Sequence, residues 1–431
     1  MENFLIQLKH IHTEMSSLLQ EGIVPFWMTR GIDTQFGGYL TSLDVNGLPT
    51  GYTEKSIVIQ TRMIWGLSAF GGYYHNERIL AAATQGVDFF IRYFWDNVHK
   101  GWFWKTAHNG QVIDSGKLVY GQSFAIYALV EHFRNTGDLR SMHYAEETFD
   151  LLQKYCTDTL YGGYYENLEC DWSRAPGGFS AGDRKSLDIH MHVMEAFTLL
   201  AQCSGKEIHY RKLEEVIDLI LQQMISATSG CGLNQFDRQF QPLLPIHIKR
   251  TWNAERQAVQ TIQPQVDSTS YGHNLELAWL FNKAGAVLGK PANYFDEVNR
   301  KLIDHALGYG FDHEKGGVYR DGPHDGPALV NDKEFWQNAE ALAGLLDGYQ
   351  QFNERKYVEA FIRQWSFVKD FMIHPQLGEF YQMVDRDGNV LVGDMGNPWK
   401  ACYHSGRAVL ECIARIERIL QEQDVSSDNV M

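Results

Sequence analysis

The stretch KSLDIHMHVMEAFTLL, Lys185 to Leu200, opens on a lysine, sets an aspartate and two histidines in its first two turns, and then becomes largely apolar. At helical spacing Asp188 and His192 share a face, because residues three and four apart on an α-helix are neighbours. The layout recurs. Five more stretches begin at Lys55, Lys117, Thr269, Lys333 and Lys400, with 62 to 84 residues from one start to the next. Three, four or seven residues into them stand Arg62, then Tyr120, then His273 and Glu276, then Trp336 and Glu340, and finally Tyr403, His404 and Arg407. Such self-similarity marks an internal repeat. Six helices that each carry a polar patch at the N-terminal end of an apolar run imply one shared pocket.

Between these helices lie amphipathic stretches with apolar residues at helical spacing, at residues 78–95, 139–155, 211–225, 293–306 and 355–372. Most lead into a glycine turn followed by aromatics, as in KGWFW (Lys100–Trp104), YGGYYE (Tyr161–Glu166) and KGGVYR (Lys315–Arg320), which suits short hairpins. Six inner and six outer helices close most naturally into a two-layered ring, an all-α (α/α)6 barrel with short β-hairpins at the loop ends. An open solenoid is the competing architecture, but no capping repeat is evident and the polar positions point to one cavity. The chain is expected to form a single domain over residues 1–431. The segment from 234 to 267, rich in Gln, Pro and basic residues, reads as a lid beside His273, since long loops gather at sites. Residues 422–431 read as a frayed tail.

The formal charge of −15 argues against nucleic acid and anionic membrane as partners, which need a basic footprint. The N-terminus reads as an amphipathic helix rather than a signal peptide, and no apolar run is long enough to span a bilayer. Six cysteines lie without a CxxC spacing, so buried thiols are expected and zinc, haem attachment and a disulfide framework are not. A cytoplasmic monomer or homodimer is the expectation.

The chemistry sits in the histidines. His192 and His273 each have a glutamate three residues on, Glu195 and Glu276, able to take one ring N–H and raise the basicity of the other nitrogen. A single buried histidine is more often a satisfied core residue, but three at equivalent repeat positions point to acid–base work, and two facing bases could exchange a proton on opposite faces of a carbon. A metal site from His190, Asp188, His192, His273 and His404 is the rival. No HExxH or Glu-x-x-His pair occurs at these helix starts, and the remaining lining of Arg62, Tyr120 and Trp336 suits an oxyanion better than a cation. The expectation is therefore no metal and no cofactor. Trp336, Trp399, Tyr120 and Tyr403 would offer flat faces to a sugar ring.

Six ordered blocks carry a resemblance over nearly the whole chain, from Phe26 to Ile416: KSIVIQTR (Lys55–Arg62), YGQSFAIYAL (Tyr120–Leu129), Lys185–Leu200, SYGHNLELAWL (Ser270–Leu280), KEFWQNAEALAG (Lys333–Gly344) and WKACYHSGRAVLE (Trp399–Glu411). The chain resembles the N-acylglucosamine 2-epimerase superfamily, and within it the cellobiose and mannose 2-epimerases. The resemblance implies an (α/α)6 barrel that inverts C2 of an aldose, with a small sugar as partner. It implies His273 and His404 as the bases on either side of a cis-enediolate, Arg62 on the oxygens near the reacting carbons, and His192 as the ring-opening histidine. Asp188, Tyr120, Glu276, Trp336, Glu340, Trp399 and Tyr403 are then substrate-binding, with Glu276 also supporting His273. Asp188, WQNAE and ACYHS replace the Asn, WPQAE-like and CPYHN-like pieces usual in cellobiose epimerases, and the segment 234–267 replaces a short connection. These departures favour D-mannose and D-glucose. Cellobiose epimerisation and mannose–fructose isomerisation are the alternatives on the same scaffold. A hydrolase working with two carboxylates from Asp188, Glu276 and Glu340, or a sugar-binding protein without turnover, belongs to a different class.

Overall fold

The computed structural model describes residues 2–244, 248, 250 and 268–428. Its long helices are α1 (Glu2–Ser17), α2 (Ile57–Tyr74), α3 (Glu77–Phe94), α4 (Val119–Thr136), α5 (Leu139–Leu151), α6 (Leu187–Ser204), α7 (Glu207–Leu219), α8 (Tyr271–Val287), α9 (Asp296–His305), α10 (Phe335–Phe352), α11 (Arg355–Phe367) and α12 (Cys402–Asp428). The even-numbered helices pack side by side in chain order, and α12 returns against α2, which closes the ring. Each inner helix is backed by the outer helix that follows it, except that α12 is backed by α1. The two ends of the chain thus make the sixth pair. The expected barrel is the observed one.

Inner and outer helices differ as their positions require. Outer α3 buries one stripe, Ile79, Ala83, Val87, Phe90 and Phe94, and is amphipathic; inner α10 is buried on every side from Phe335 to Tyr349, its polar Gln337, Asn338, Glu340 and Asp347 included. The last helix runs on to Asp428 where the sequence reading places a frayed tail, and residues 429–431 lie outside the described residues. Among the cysteines, Cys156, Cys231, Cys402 and Cys412 are buried as expected, whereas Cys170 and Cys203 are only half-buried; all six are free thiols.

The glycine turns end in isolated bridges at one equivalent place in every unit: Ile32 with Tyr39, Trp95 with Trp102, Thr157 with Tyr164, Ile225 with Gly232, Phe311 with Val318 and Ile373 with Phe380. The regular strands lie at the helix starts. β1 (Glu54–Ser56) pairs with β2 (Lys105–Ala107), which pairs with β3 (Val112–Asp114); β4 (Lys117–Leu118) pairs with β5 (Asn167–Leu168), and β6 (Arg184–Ser186) with β7 (Gln235–Asp237). β8 (Thr269–Ser270) pairs with β9 (Asp321–Gly322), and β10 (Lys333–Glu334) with β11 (Met383–Val384), which pairs with β12 (Val390–Val392). The segment expected as a lid from 234 to 267 therefore begins as an ordinary strand of the repeat. Residues 245–247, 249 and 251–267 lie outside the described residues.

The repeated lysine proves to be architectural. Lys55, Lys117, Lys185 and Lys333 are buried, and each Nζ meets an aspartate of the preceding turn: Asp33 at 2.7 Å, Asp96 at 2.9 Å, Asp158 at 3.0 Å and Asp312 at 3.2 Å. The other oxygen of each aspartate accepts two N–H groups of its own turn, as Asp158 Oδ1 does from Leu160 and Tyr161 at 3.1 and 3.2 Å. The turn then leaves Gly163 at φ +70°, where a Cβ would lie 2.7 Å from His190 Nε2, so glycine is needed for both conformation and space. His190 is consumed by this packing: its Nε2 accepts from Tyr164 N at 3.0 Å and its Nδ1 lies 2.9 Å from Ser186 O. The fourth unit loses both charges together. Ser226 Oγ accepts from Ser229 N at 3.2 Å, and Thr269 Oγ1 donates to Gly232 O at 2.6 Å. In the sixth unit His374 Nδ1 caps the turn, and Glu379 supplies the negative charge near Lys400.

Breaking a buried pair strands the surviving charge, at a cost of about 3–5 kcal/mol, while a matched neutral replacement avoids it. Asp158→Asn should lower the urea midpoint strongly, whereas Asp158→Ser combined with Lys185→Thr, the pair used by the fourth unit, should recover much of the loss.

Candidate active site

The N-terminal ends of the inner helices face one pocket, lined by Arg62 (α2), Tyr120 (α4), Asp188 and His192 (α6), His273 (α8), Glu334, Phe335 and Trp336 at the start of α10, Gln382, Trp399 and His404 (α12). Serine caps set several of these ends: Ser186 Oγ accepts from Ile189 N, and Ser270 Oγ accepts from His273 N at 3.3 Å. The positive ends of the helix dipoles therefore converge on the pocket and favour a developing anion there.

The histidines sit in different electrostatic surroundings. His192 has a carboxylate on each nitrogen, Glu195 Oε2 at 3.0 Å from Nδ1 and Asp188 Oδ1 at 3.3 Å from Nε2. Burial would lower its pKa, but Asp188 and Glu195 together hold it up at about 9, so the ring is a cation at neutral pH. His404 Nδ1 lies 2.7 Å from Glu340 Oε1, which leaves Nε2 for the pocket. Burial and the surrounding cations, Arg62 and Arg407 foremost, hold His404 well below the ordinary imidazole range, so it is neutral. His273 Nε2 stands 3.5 Å from the same Asp188 Oδ1 that faces His192. The Trp336 ring lies between His273 and His404, with centroid separations of 4.6 and 5.6 Å. Arg62 donates to Tyr120 Oη at 2.8 Å and to the carbonyl of Trp399. The Tyr120 ring meets His192 and Trp399 edge-on.

Three expected substrate contacts do not reach the pocket surface. Tyr403, Glu276 and Glu340 are fully buried beneath it. Tyr403 Oη donates to Glu195 at 2.7 Å, and Glu340 Oε1 accepts from Arg407 at 2.6 Å as well as facing His404. Glu276 gives its Oε1 to Arg407 and its Oε2 makes no hydrogen bond, so it does not take the expected place beneath His273. Offset alone does not separate them, since Arg62 and His192 also stand seven residues in and Tyr120 and Trp336 also stand three in, yet all four line the pocket; Glu276, Glu340 and Tyr403 are instead held by the Arg407 guanidinium. Conversely, Glu334, Phe335 and Gln382 also line the pocket: the first two stand one and two residues past Lys333 and the third next to β11, positions about which the repeat offsets say nothing. Arg407 and Glu195 were visible as members of the pattern, and the floor they build was not.

The described groups suited to a cation are Glu276, Glu340 and His404, whose ligand atoms lie within 4.8 Å of one another. The Arg407 guanidinium already bonds both carboxylates, so the positive charge this cluster calls for comes from the chain itself. Of the residues considered for a metal from sequence, His190 is turned into the glycine turn.

A side chamber opens from the pocket, sharing Tyr120, Asp188, His273 and Trp399 with it and walled further out by Asn167, Gln235, Ile248 and Arg250. Arg250 holds Asp114 through Nε and Nη2 at 2.7 and 2.6 Å, across 136 residues of sequence.

The six-pair helical barrel thus brings three histidines, an arginine and aromatic rings from its inner helix starts onto one concave pocket, a set of groups able to hold and move protons. The chain belongs to the N-acylglucosamine 2-epimerase (GlcNAc 2-epimerase) family, whose pattern it matches over residues 38–408. It is 26% identical over 420 residues to a cellobiose 2-epimerase of Dictyoglomus turgidum, covering 95% of this chain and 100% of the relative. To a D-mannose isomerase of Marinomonas mediterranea it is 22% identical over 404 residues, 91% of this chain and 95% of that one. Among solved structures, a cellobiose 2-epimerase from Spirochaeta thermophila superposes with a TM-score of 0.84 at 28% identity, over 96% of this chain and 98% of that chain. The protein is thus a carbohydrate epimerase or isomerase with a small sugar as substrate. No helix among the described residues is long and apolar enough to cross a membrane.

Because the folded pKa of His192 lies above the ordinary value near 6.5, its charged contacts contribute stability that is fully present below about pH 6.5 and is lost as pH rises through about 9. The stability gap between the wild type and His192→Gln, measured by urea unfolding, should shrink from pH 6 to pH 9.5.

Proposed function

We propose that the protein interconverts D-mannose and D-glucose by inverting C2. The observation that favours a monosaccharide is the wall at the outer end of the side chamber. Arg250, tied to Asp114, accompanies Ile248, which is only 5% exposed. A second sugar extending from the pocket past Tyr120 and Trp399 would meet this wall. Two polar groups of the chamber are already engaged as well, Glu166 by Ser186 Oγ at 3.1 Å and Gln235 Oε1 by Arg184 at 3.1 Å.

The protonation states of His192 and His404 assign their parts in the chemistry. The His192 cation gives its proton to the ring oxygen and the neutral ring takes the proton of the O1 hydroxyl, as the C1–O5 bond breaks and the C1 carbonyl forms; this opens the pyranose and restores the cation. Neutral His404 takes the C2 proton through Nε2, and the electron pair moves through C2–C1 onto the carbonyl oxygen to give a cis-enediolate. Its negative charge lies near Arg62 and the helix N-termini, which stabilise it as it forms. That charge also offsets the cations that depress His404, so the ring becomes a better base as the reaction proceeds. After rotation about C2–C3, His273 delivers a proton to the opposite face of C2 and the carbonyl re-forms; His404 then releases its proton to solvent and His273 regains one from it. Delivery at C1 instead would give the ketose.

Incubation with mannose and with cellobiose, separately in heavy water, tests this reading. Glucose carrying deuterium at C2 is expected from mannose, with kcat/KM on cellobiose at least ~10-fold lower, a gap of about 1.4 kcal/mol. Fructose as the main product would make the protein an isomerase, and equal turnover of cellobiose would remove the size argument. His273→Gln and His404→Gln should each lower kcat by about 10²–10⁴ with an unchanged circular dichroism spectrum. Arg250→Ala should raise the cellobiose-to-mannose ratio of kcat/KM.

A further inference from the structure

The pocket floor holds more negative charge than it can keep unopposed. Glu195 from α6, Glu276 from α8 and Glu340 from α10 converge on the one guanidinium of Arg407 from α12, all of them buried. Tyr403 and Glu411 on the same helix as Arg407 also face it, and Arg62 lies on the Tyr403 ring at 5.4 Å. Arg407 splits its donors. One terminal nitrogen goes to Glu195 and Tyr403, the other to Glu276 and Glu340. Each half is a single bond away from a pocket histidine, through Glu195 to His192 at 3.0 Å and through Glu340 to His404 at 2.7 Å.

We propose that Arg407, though out of reach of substrate, is the positioning residue that sets the two histidines in opposite protonation states, His192 as the cation and His404 as the neutral base. The same charge acts with opposite sign on the two sides. On the His192 side Arg407 keeps Glu195 an anion, at about 2 despite its burial, and that anion keeps the imidazolium charged. On the His404 side Glu340 Oε1 already accepts from Arg407, so it can only accept again from His404 Nδ1. That selects the tautomer with the lone pair on Nε2. The positive charge of Arg407 also disfavours protonation of His404, and burial with Glu276 nearby lifts Glu340 to about 8. A neutral Glu340 would carry its proton on Oε2, which has no partner, and leave Oε1 an acceptor. The geometry holds in either state.

The inference rests on His192 and His404 being the acid and base, so its test includes a readout that needs no substrate. Histidine titration by NMR in ring-¹⁵N-labelled full-length protein should show the wild-type rings far apart. In Arg407→Met the His404 value should rise towards the ordinary ~6.5 and the His192 value should fall towards it. The pH profile of kcat should narrow from both sides, with kcat down about 100-fold and KM changed less than 3-fold. Because Arg407→Met leaves three carboxylates together, the double variant Arg407→Met with Glu276→Gln, which removes one charge of each sign, guards against a folding failure and should show the same convergence. A protein that loses activity while both histidines keep their wild-type titration would overturn the proposal, as would convergence of only one ring. Wild-type rings that already titrate together would overturn it too. If the titrations converge but the wild type shows no epimerase activity, the role of Arg407 stands and the functional reading fails.

Discussion

Everything in this barrel hangs from the buried pair between a lysine that leads into an inner helix and the acid of the preceding glycine turn. One oxygen of the aspartate organises the turn and the other receives the ammonium, so a single residue ties the end of an outer helix to the beginning of an inner one. Repeated around the ring, this fixes where each inner helix starts, and so the height at which its first-turn side chains stand. A buried pair of this kind is weak as a source of net stability but strong as a specifier of geometry, because breaking either half leaves a stranded charge. The fourth unit supports that view. It replaces aspartate and lysine together, by Ser226 and Thr269, and keeps the same bridge and the same helix start.

With the six starts at one level, what differs between them becomes the active site. The pocket walls are aromatic and the floor is a charge lattice, three carboxylates on one guanidinium. Hydrogen bonds from His192 to Glu195 and from His404 to Glu340 join the two layers. Identical imidazoles acquire opposite tendencies because one is flanked by two acids and the other is ringed by cations. The helix ends add a positive field that no single side chain supplies. Arg62 and Arg407 add fixed positive charge of their own, one at the wall and one in the floor.

Most of the fold was legible in the sequence. The periodic apolar stretches, the glycine–aromatic turns and the recurring offsets gave helix count, alternation and closure. Less legible was the role of the lysine itself, conspicuous as a marker but silent as to its partner, which lies 21 to 27 residues upstream as Asp33, Asp96, Asp158 and Asp312. Nor did the pattern show that α1 backs α12, since that contact joins opposite ends of the chain. In the site, His192, His273, His404, Arg62, Tyr120, Trp336, Trp399 and Asp188 do meet in one pocket. Glu276, Glu340 and Tyr403 share offsets with pocket residues but turn to Arg407, a partner that helical phase does not reveal.

The sequence alone determined the repeat, the inner face of each helix and the kinds of side chain that face carries, because these follow from local periodicity and residue chemistry. The tertiary structure alone decided which carboxylate meets which histidine, that Arg407 joins Glu195 and Glu340 across the floor, and that Arg250 reaches Asp114 at the chamber wall. Those pairings span up to 212 residues. They set the electric field at each ring, and that field depends on distances in space that no local pattern encodes.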